Sequence, residues 1–565
     1  MSVNIAKALV KLLEDCEVKA AFGVSGGFIA PIWQELTESE KIKLFHCRHE
    51  SGGAFSASEF SLCHQVPAVA FATAGPGISN ALTGLRAAKL DGAKVIFISS
   101  ITSVASSGKW SLQETTVQDI DGLCIPDGHG YFDEIIIINQ KDDYAHVESK
   151  LRKGLNKKDG YVVGIFLTTK VQQEIIDYEN DEALSLSHDD LDENAKRHSR
   201  EIADLLVNEN AVFWAGFGAR HASALLTQIA IKTNSRVIST PRGKGIFDEK
   251  HSLYAGTSGL GSDSESINKT LHCPLLSAVI IMGSRLGELS SSYAQNNLKK
   301  VKVYYIGLNA QEIKGNLPSH TVLIDSDIET FLTSIDTCLA EKVIPSSHIK
   351  AISAPHDSHK CYSDAAKDVI HPLDVMSVVQ EIAIDMFDCY VASEAGNSFV
   401  WTNRYLKFSN PLRYRVSTAY GAMGHYACGL VGMAASKERC AVGIIGDGAM
   451  LMSNEVSTAV RFGLPAIWLV MNDSGYNMCR QGQELLGYPP LDCSIPQVDF
   501  AVFGQSIGAT GYNVRNKKEL REALIHAIEE KKPAVINAFI DKYEIPPLGD
   551  RVETFRKLKE ELDGK

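Results

Sequence analysis

The sequence predicts an α/β protein built from three doubly wound parallel-sheet domains. Three observations lead there. Short apolar, β-branched runs alternate with helix-length segments along the whole chain. Its 565 residues exceed what one core organises. Two polar, weakly periodic stretches divide it into thirds.

The apolar runs fall at 67–72, 94–99, 161–167, 211–215, 276–282, 302–307, 389–392, 440–445, 466–471 and 534–539. Runs of this length separated by helical segments are the pattern of strands buried on both faces, joined by crossover helices. The stretch 177–200 is acidic and Ser-rich, and 344–371 is rich in Ser, Pro, His and Lys; both are expected to be linkers. The expected units are therefore 1–175, 190–342 and 365–545, with a charged, helical tail at 546–565.

Composition narrows the function classes. Hydrophobic residues make up 45% and charged residues 22%, as in a globular enzyme. A net charge of -12 opposes nucleic acid as the main partner, since phosphate backbones require a basic face. No apolar run is long enough to span a bilayer, and Met1-Ser2-Val3-Asn4-Ile5 lacks the basic-then-apolar start of a secretory signal. The twelve cysteines form no C-x-x-C pair or disulfide-like framework, and thiols such as Cys47, Cys63, Cys428 and Cys440 sit among apolar or small residues. A cytoplasmic location is expected.

In the first unit, Glu50 is followed by Ser51-Gly52-Gly53-Ala54-Phe55-Ser56-Ala57-Ser58. Small residues on a helix permit very close packing, so a carboxylate at its start would face a dry crevice rather than solvent. Two glycine strings, Phe22-Gly23-Val24-Ser25-Gly26-Gly27 and Thr73-Ala74-Gly75-Pro76-Gly77-Ile78-Ser79-Asn80, flank it in sequence. Each alone suits a turn; their order makes them informative. The central unit has Gly216-Phe217-Gly218-Ala219-Arg220 after a strand, a candidate nucleotide turn whose spacing is not G-x-G-x-x-G.

The third unit carries the strongest signal. A buried strand ends in Gly446-Asp447-Gly448-Ala449, a helix-length spacer follows, and a second buried strand ends in Asn472-Asp473-Ser474-Gly475-Tyr476. Parallel strands open on one edge, where α/β proteins bind ligands, so the two ends can meet across a crevice. Magnesium takes hard oxygen ligands, often one or two carboxylates completed by phosphate oxygens. The flanking glycines let phosphate approach the backbone, and the next helix offers amide donors.

Gly446-Asp447-Gly448, followed about two dozen residues later by Asn472-Asp473, resembles the thiamine diphosphate fingerprint. Nearly the whole chain is similar to acetohydroxyacid synthase (acetolactate synthase)-like enzymes. The resemblance implies pyrimidine-binding, central and diphosphate-binding domains in that order. It implies Mg2+ ligation by the side chains of Asp447 and Asp473 and by the carbonyl of Gly475. Asp473 departs from the family's second Asn, leaving Asn472 as the fallback ligand.

Arg48-His49-Glu50 matches the family's activating string. It implies that Glu50 hydrogen-bonds the aminopyrimidine and favours the imino tautomer that deprotonates the thiazolium C2. Gly421-Ala422-Met423-Gly424 resembles the loop whose apolar residue, here Met423, wedges between the cofactor's rings. By the same resemblance Gly396, Asn397, Ser398, Gly448, Ala449, Tyr476 and Asn477 surround the diphosphate, and Ser25, Gly26, Gly27, Thr73 and Asn80 line the pyrimidine side.

The region 110–115 lacks the paired histidines of simple decarboxylases and has Gln113, matching the synthases' Phe-Gln-Glu glutamine. A neutral amide can orient an acceptor carbonyl without early protonation, which favours carboligation. The expected activity is therefore joining of a decarboxylated, pyruvate-like 2-oxo acid to a carbonyl acceptor. A 2-oxo acid decarboxylase or acyl-CoA lyase is the alternative, and a silent cofactor-binding scaffold the alternative outside catalysis. Gly482 stands where synthases narrow the acceptor site with tryptophan, pointing to a larger acceptor; Arg480 is a candidate for an acceptor carboxylate or a solvated helix residue. Gly283-Ser284-Arg285-Leu286-Gly287-Glu288 lacks the Asp-Asp-Arg that accompanies flavin, so FAD is not favoured. The family arrangement implies a homodimer or homotetramer with active sites at subunit interfaces.

Overall fold

The computed structural model describes residues 2–124, 130–178, 191–262, 264–292, 294–299, 301–343, 368–548 and 559–560. The first unit holds β1 (Ser2–Asn4), β2 (Ala20–Gly23), β3 (Lys43–His46), β4 (Ala68–Phe71), β5 (Lys94–Ser100), β6 (Glu134–Ile138), β7 (Tyr161–Leu167) and β8 (Ile175–Asp177). The second holds β9 (Asn210–Ala215), β10 (Arg236–Ser239), β11 (Tyr254–Thr257), β12 (Leu276–Met282), β13 (Lys302–Gly307) and β14 (Val322–Asp325). The third holds β15 (Tyr390–Ser393), β16 (Tyr414–Arg415), β17 (Ala441–Gly446), β18 (Ala466–Asn472), β19 (Thr510–Val514) and β20 (Ala534–Phe539).

These strands form three six-stranded sheets in which every pairing is parallel. The apolar runs become strands because both faces are covered: all seven residues of Tyr161–Leu167 and all seven of Ala466–Asn472 are buried. A small antiparallel pair, β1 with β8, ties the start of the chain to the end of the first unit.

The order in the first sheet is β3-β2-β4-β5-β7-β6 and in the third β16-β15-β17-β18-β20-β19. Numbered within each six-stranded sheet, both read 2-1-3-4-6-5. The central sheet, β11-β10-β9-β12-β13-β14, reads 3-2-1-4-5-6. The first and third units thus share a topology whose order reverses beside their first strand, and such a reversal opens a crevice at the carboxyl edge.

One expected linker is partly helical. Within 177–200, Glu193–Asn208 forms a helix, with the Asp192 carboxylate accepting the Ala195 N–H at 2.6 Å as its N-cap. Of the acidic residues that suggested a linker, Asp192 and Glu193 form a helix start, where carboxylates satisfy free amides and the dipole, while 179–190 lie outside the described residues. In the second stretch, His371 caps the Pro372–Val378 helix. Residues 344–367 and most of the expected tail lie outside the described residues.

The Glu50–His64 helix joins the first and third units. Residues 52–63 are all buried, packed between the Pro76–Asp91 helix of its own unit and the His425–Met433 helix of the third. The small residues explain how. A Cβ on Gly432 would lie 1.9 Å from the Ser56 carbonyl oxygen, and one on Gly84 would lie 2.5 Å from the Ala54 Cβ. Backbone meets backbone on both sides.

Candidate active site

On the first sheet, the expected pyrimidine-side residues gather at the carboxyl edge. Ser25, Gly26 and Gly27 follow β2, Glu50 follows β3, Thr73 follows β4, and Gln113 lies in the segment after β5. A Cβ on Gly26 would sit 2.5 Å from that of Thr73, so these loops touch across the β2/β4 switch point. The Thr73 hydroxyl donates to the Gln113 amide oxygen at 3.3 Å, and the Gly75 N–H donates to the Thr115 hydroxyl at 2.8 Å. Gln113 has a left-handed backbone (φ 57°), an uncommon conformation for a residue with a side chain. Gly27 faces open space, whereas the Ser25 hydroxyl is engaged with His46 Nε2 at 2.9 Å.

Glu50 is half-buried at the first turn of its helix, and Asn80 Nδ2 donates to its Oε2 at 3.1 Å. Two candidates thirty residues apart in sequence therefore meet. The backbone before Glu50 is held from the third unit: the Arg48 N–H (3.0 Å) and the His49 N–H (3.1 Å) donate to the buried carboxylate of Glu455. Sequence reasoning missed Glu455, for its partners are amides four hundred positions away and no local pattern announces them.

On the third sheet, Gly396, Asn397 and Ser398 follow β15 and Asp447, Gly448 and Ala449 follow β17, on either side of the switch point; Asp473, Gly475, Tyr476 and Asn477 follow β18. Gly396 (φ 116°) opens the Asn397–Tyr405 helix, whose first amides have no partner within the helix. Asn397 Oδ1 is buried without a partner, while the Ser398 hydroxyl donates to the Glu394 carbonyl at 3.0 Å, leaving its amide as the free donor.

Asp447 is only 3% exposed. Its Oδ1 accepts the Gly448 N–H at 2.7 Å, and its Oδ2 has no partner. Burial, then the charge of Asp473, pushes its pKa up to about 7, against the amides of Gly448, Ser474 and Gly475. Burial also raises the Asp473 pKa, against the lowering influence of the neighbouring Asn477 and of the Gly475 amide. Two close carboxylates with an orphaned oxygen suit a divalent cation, which would cancel both the desolvation and the mutual repulsion.

Asn472, the fallback ligand, donates through Nδ2 to the Val498 carbonyl and Asn537 Oδ1, both at 2.9 Å, and its Oδ1 accepts from the Ser474 hydroxyl at 3.5 Å. Tyr476 lies against Gly448, where a Cβ would come within 2.5 Å of its ring. Met423 is partly buried in the loop before the His425–Met433 helix. Arg480 donates to Asn477 Oδ1, Glu484 and the Lys542 carbonyl. Gln481 is buried at 3% exposure with neither amide atom partnered. Its spacing of four from Asn477, one turn along the same helix face, was the available signal.

In the central unit, the glycine turn after β9 packs on the turn after β12: a Cβ on Gly216 would lie 2.5 Å from the Gly283 carbonyl oxygen. The arginines of this edge bind the first unit, Arg220 to Gln65, Arg242 to the Asp91 carbonyl and Arg285 to the Leu90 carbonyl.

Comparison with known proteins agrees with this geography. Residues 3–121 match the N-terminal TPP binding domain of thiamine pyrophosphate enzymes, 200–335 the central domain, and 394–538 the C-terminal TPP binding domain. The chain is 25% identical over 568 residues to the acetolactate synthase large subunit of Parasynechococcus marenigrum (strain WH8102), covering 97% of this chain and 90% of that protein. It is 24% identical to a putative thiamine pyrophosphate-containing protein, YdaP, of Bacillus subtilis (strain 168), covering 97% and 93%. It is 23% identical to the acetolactate synthase isozyme 1 large subunit of Escherichia coli (strain K12), covering 96% of each.

Proposed function

Because the chain belongs to the thiamine pyrophosphate enzyme family, and is thus a thiamine diphosphate-dependent enzyme making or breaking carbon–carbon bonds, we propose that it is a carboligase. It joins a decarboxylated, pyruvate-like 2-oxo acid to a carbonyl acceptor. The observation that carries this reading is the neutral Gln113 amide beside Thr73 at the pyrimidine-side edge. It can hold an acceptor carbonyl but cannot deliver the proton that would release an aldehyde.

The Asp447 and Asp473 carboxylates and the Gly475 carbonyl would hold Mg2+, and the amides at 396–398 and 448–449, with Tyr476 and Asn477, the diphosphate. The bound cofactor supplies a nucleophilic carbon and an electron sink for loss of carbon dioxide. Glu50, aligned by Asn80, would exchange a proton with the pyrimidine ring nitrogen. Ser25, Gly26 and Gly27 would border that ring, and Met423 would pack on the cofactor.

The two edges are expected to close on each other between copies, Glu50 of one chain facing Asp447 of a second. Exposed apolar side chains support this: Trp110 (96%) and Leu112 (81%) precede Gln113, and Leu451 (49%) and Met452 (61%) follow Asp447. A Cβ on Gly482 would meet nothing within 4 Å, space that suits an acceptor larger than pyruvate. The location proposed is cytoplasmic; no helix among the described residues is long and apolar enough to cross a membrane.

The test is incubation of holoenzyme with a panel of 2-oxo acids and of short and bulky aldehydes and ketones, with product identification. Ligated hydroxyketones are expected, most from bulky acceptors. Aldehyde release regardless of acceptor would replace the reading with a decarboxylase, and absence of turnover with a silent scaffold.

A further inference from the structure

The loop carrying Met423 runs over 416–424, from the end of β16 to the start of the His425–Met433 helix. One carboxylate from another domain holds both of its ends. Arg415 Nε donates to Glu59 Oε2 at 2.8 Å and its Nη2 approaches Oε1 at 3.4 Å; His425 Nε2 lies 2.9 Å from the same Oε1. All three side chains are buried.

Glu59 lies on the helix that starts at Glu50. Nine residues along, it is two and a half turns away and faces the opposite side. The contact is tightly confined. A Cβ on Gly429 would lie 2.8 Å from Glu59 Cγ, and the His425 ring stacks between Phe55 (4.6 Å) and Tyr426 (4.4 Å). Between these anchors the loop turns through Gly421 (φ 65°) and Gly424 (φ 86°), so its flexible points are bracketed by fixed ends.

Charge explains why the triplet stays together. Burial opposes ionisation of Glu59, yet Arg415 and His425 prevail and hold its pKa at about 2. Asp91 also lies near Glu59 and His425. Its charge faces Arg242, 3.6 Å away, as that of Glu59 faces Arg415, so guanidinium groups fill the role a cation would take. A buried ion pair adds little net stability but discriminates strongly among geometries, because any slip strands a charge.

We propose that Glu59 is a positioning residue for the cofactor-contacting loop, fixing Met423 through Arg415 and His425. This rests on the thiamine diphosphate reading and adds that one helix serves the cofactor at both ends, with Glu50 and through the Met423 loop.

His425→Phe tests it, since phenylalanine keeps the aromatic stack and leaves Glu59 paired with Arg415. His425→Gln is the conservative partner, because its amide can still donate to Glu59. Binding of thiamine diphosphate with Mg2+ is measured by calorimetry and by near-ultraviolet circular dichroism, alongside melting of the apoprotein. His425→Phe should melt as a folded protein and bind the cofactor at least tenfold more weakly, raising the cofactor KM more than it lowers kcat. His425→Gln should recover most of that affinity. Met423→Ala should weaken binding similarly, and the Met423→Ala/His425→Phe double variant should lose little more than either single variant. Affinity within twofold of the parent in His425→Phe, or multiplicative losses in the double variant, would overturn the proposal. Failure of the parent protein itself to bind thiamine diphosphate would instead refute the cofactor assignment.

Discussion

Asp447→Asn should make the metal-free protein more stable while abolishing its cation site, and the gain should depend on pH. The carboxyl is buried, and its pKa stands at about 7 against an ordinary 3.8. An acid raised in the folded state contributes its full stability below the unfolded value. That stability is lost progressively from about pH 4 and levels off above about pH 7. Three units at 1.36 kcal/mol each amount to about 4 kcal/mol lost by pH 8, but only about 1.5 kcal/mol at pH 5. Asparagine of the same shape carries no such dependence. Urea unfolding of chelator-treated parent and variant at both pH values isolates the term. The variant's advantage should grow by about 3 kcal/mol from pH 5 to pH 8. Calorimetry should show its Mg2+-dependent cofactor binding lost. An equal advantage at both pH values would refute a desolvated, titrating carboxyl, and undiminished Mg2+ dependence would refute its role as ligand.

Glu50→Gln should keep cofactor affinity within a few fold and lower turnover by about 10²–10⁴, as removal of a proton-transfer group does, checked by calorimetry with steady-state rates. Glu59, held at about 2 against an ordinary 4.5, contributes stability that is present above about pH 4.5 and disappears as pH falls to 2. Comparing urea unfolding of the parent with Glu59→Gln/Arg415→Met, the parent should lose about 3 kcal/mol more over that window. Gly432→Ala puts a methyl group 1.9 Å from a carbonyl oxygen of the Glu50–His64 helix, and thermal melting should show destabilisation of about 3 kcal/mol; an unchanged midpoint would mean the two helices are not in backbone contact.

The buried strands were legible because a strand covered on both faces must be apolar throughout. The runs at 161–167, 276–282, 302–307 and 534–539 coincide with β7, β12, β13 and β20 at both ends. Edge strands such as Lys43–His46 and Tyr414–Arg415 are too short or too mixed in polarity to be read this way. The acidic 192–193 segment misled for a different reason. Carboxylates favour both solvent and helix starts, and only the backbone conformation separates the two.

From the sequence alone follow the fold class, the family and the local strings that bring chemistry to strand ends, because each depends on residues within a few positions of one another. Asp447 with Gly448, and Gly396 with Asn397, are of this kind. Tertiary structure decided what meets what. It paired Glu50 with Asn80 and Gln113 with Thr73, set Glu455 on the amides before Glu50, and placed Glu59 between Arg415 and His425. It also gave the first and third sheets one strand order, so that their candidate loops open at matching switch points. Such contacts arise from helix packing and strand order across hundreds of residues, and a hydrogen bond leaves no mark in the sequence between its two ends.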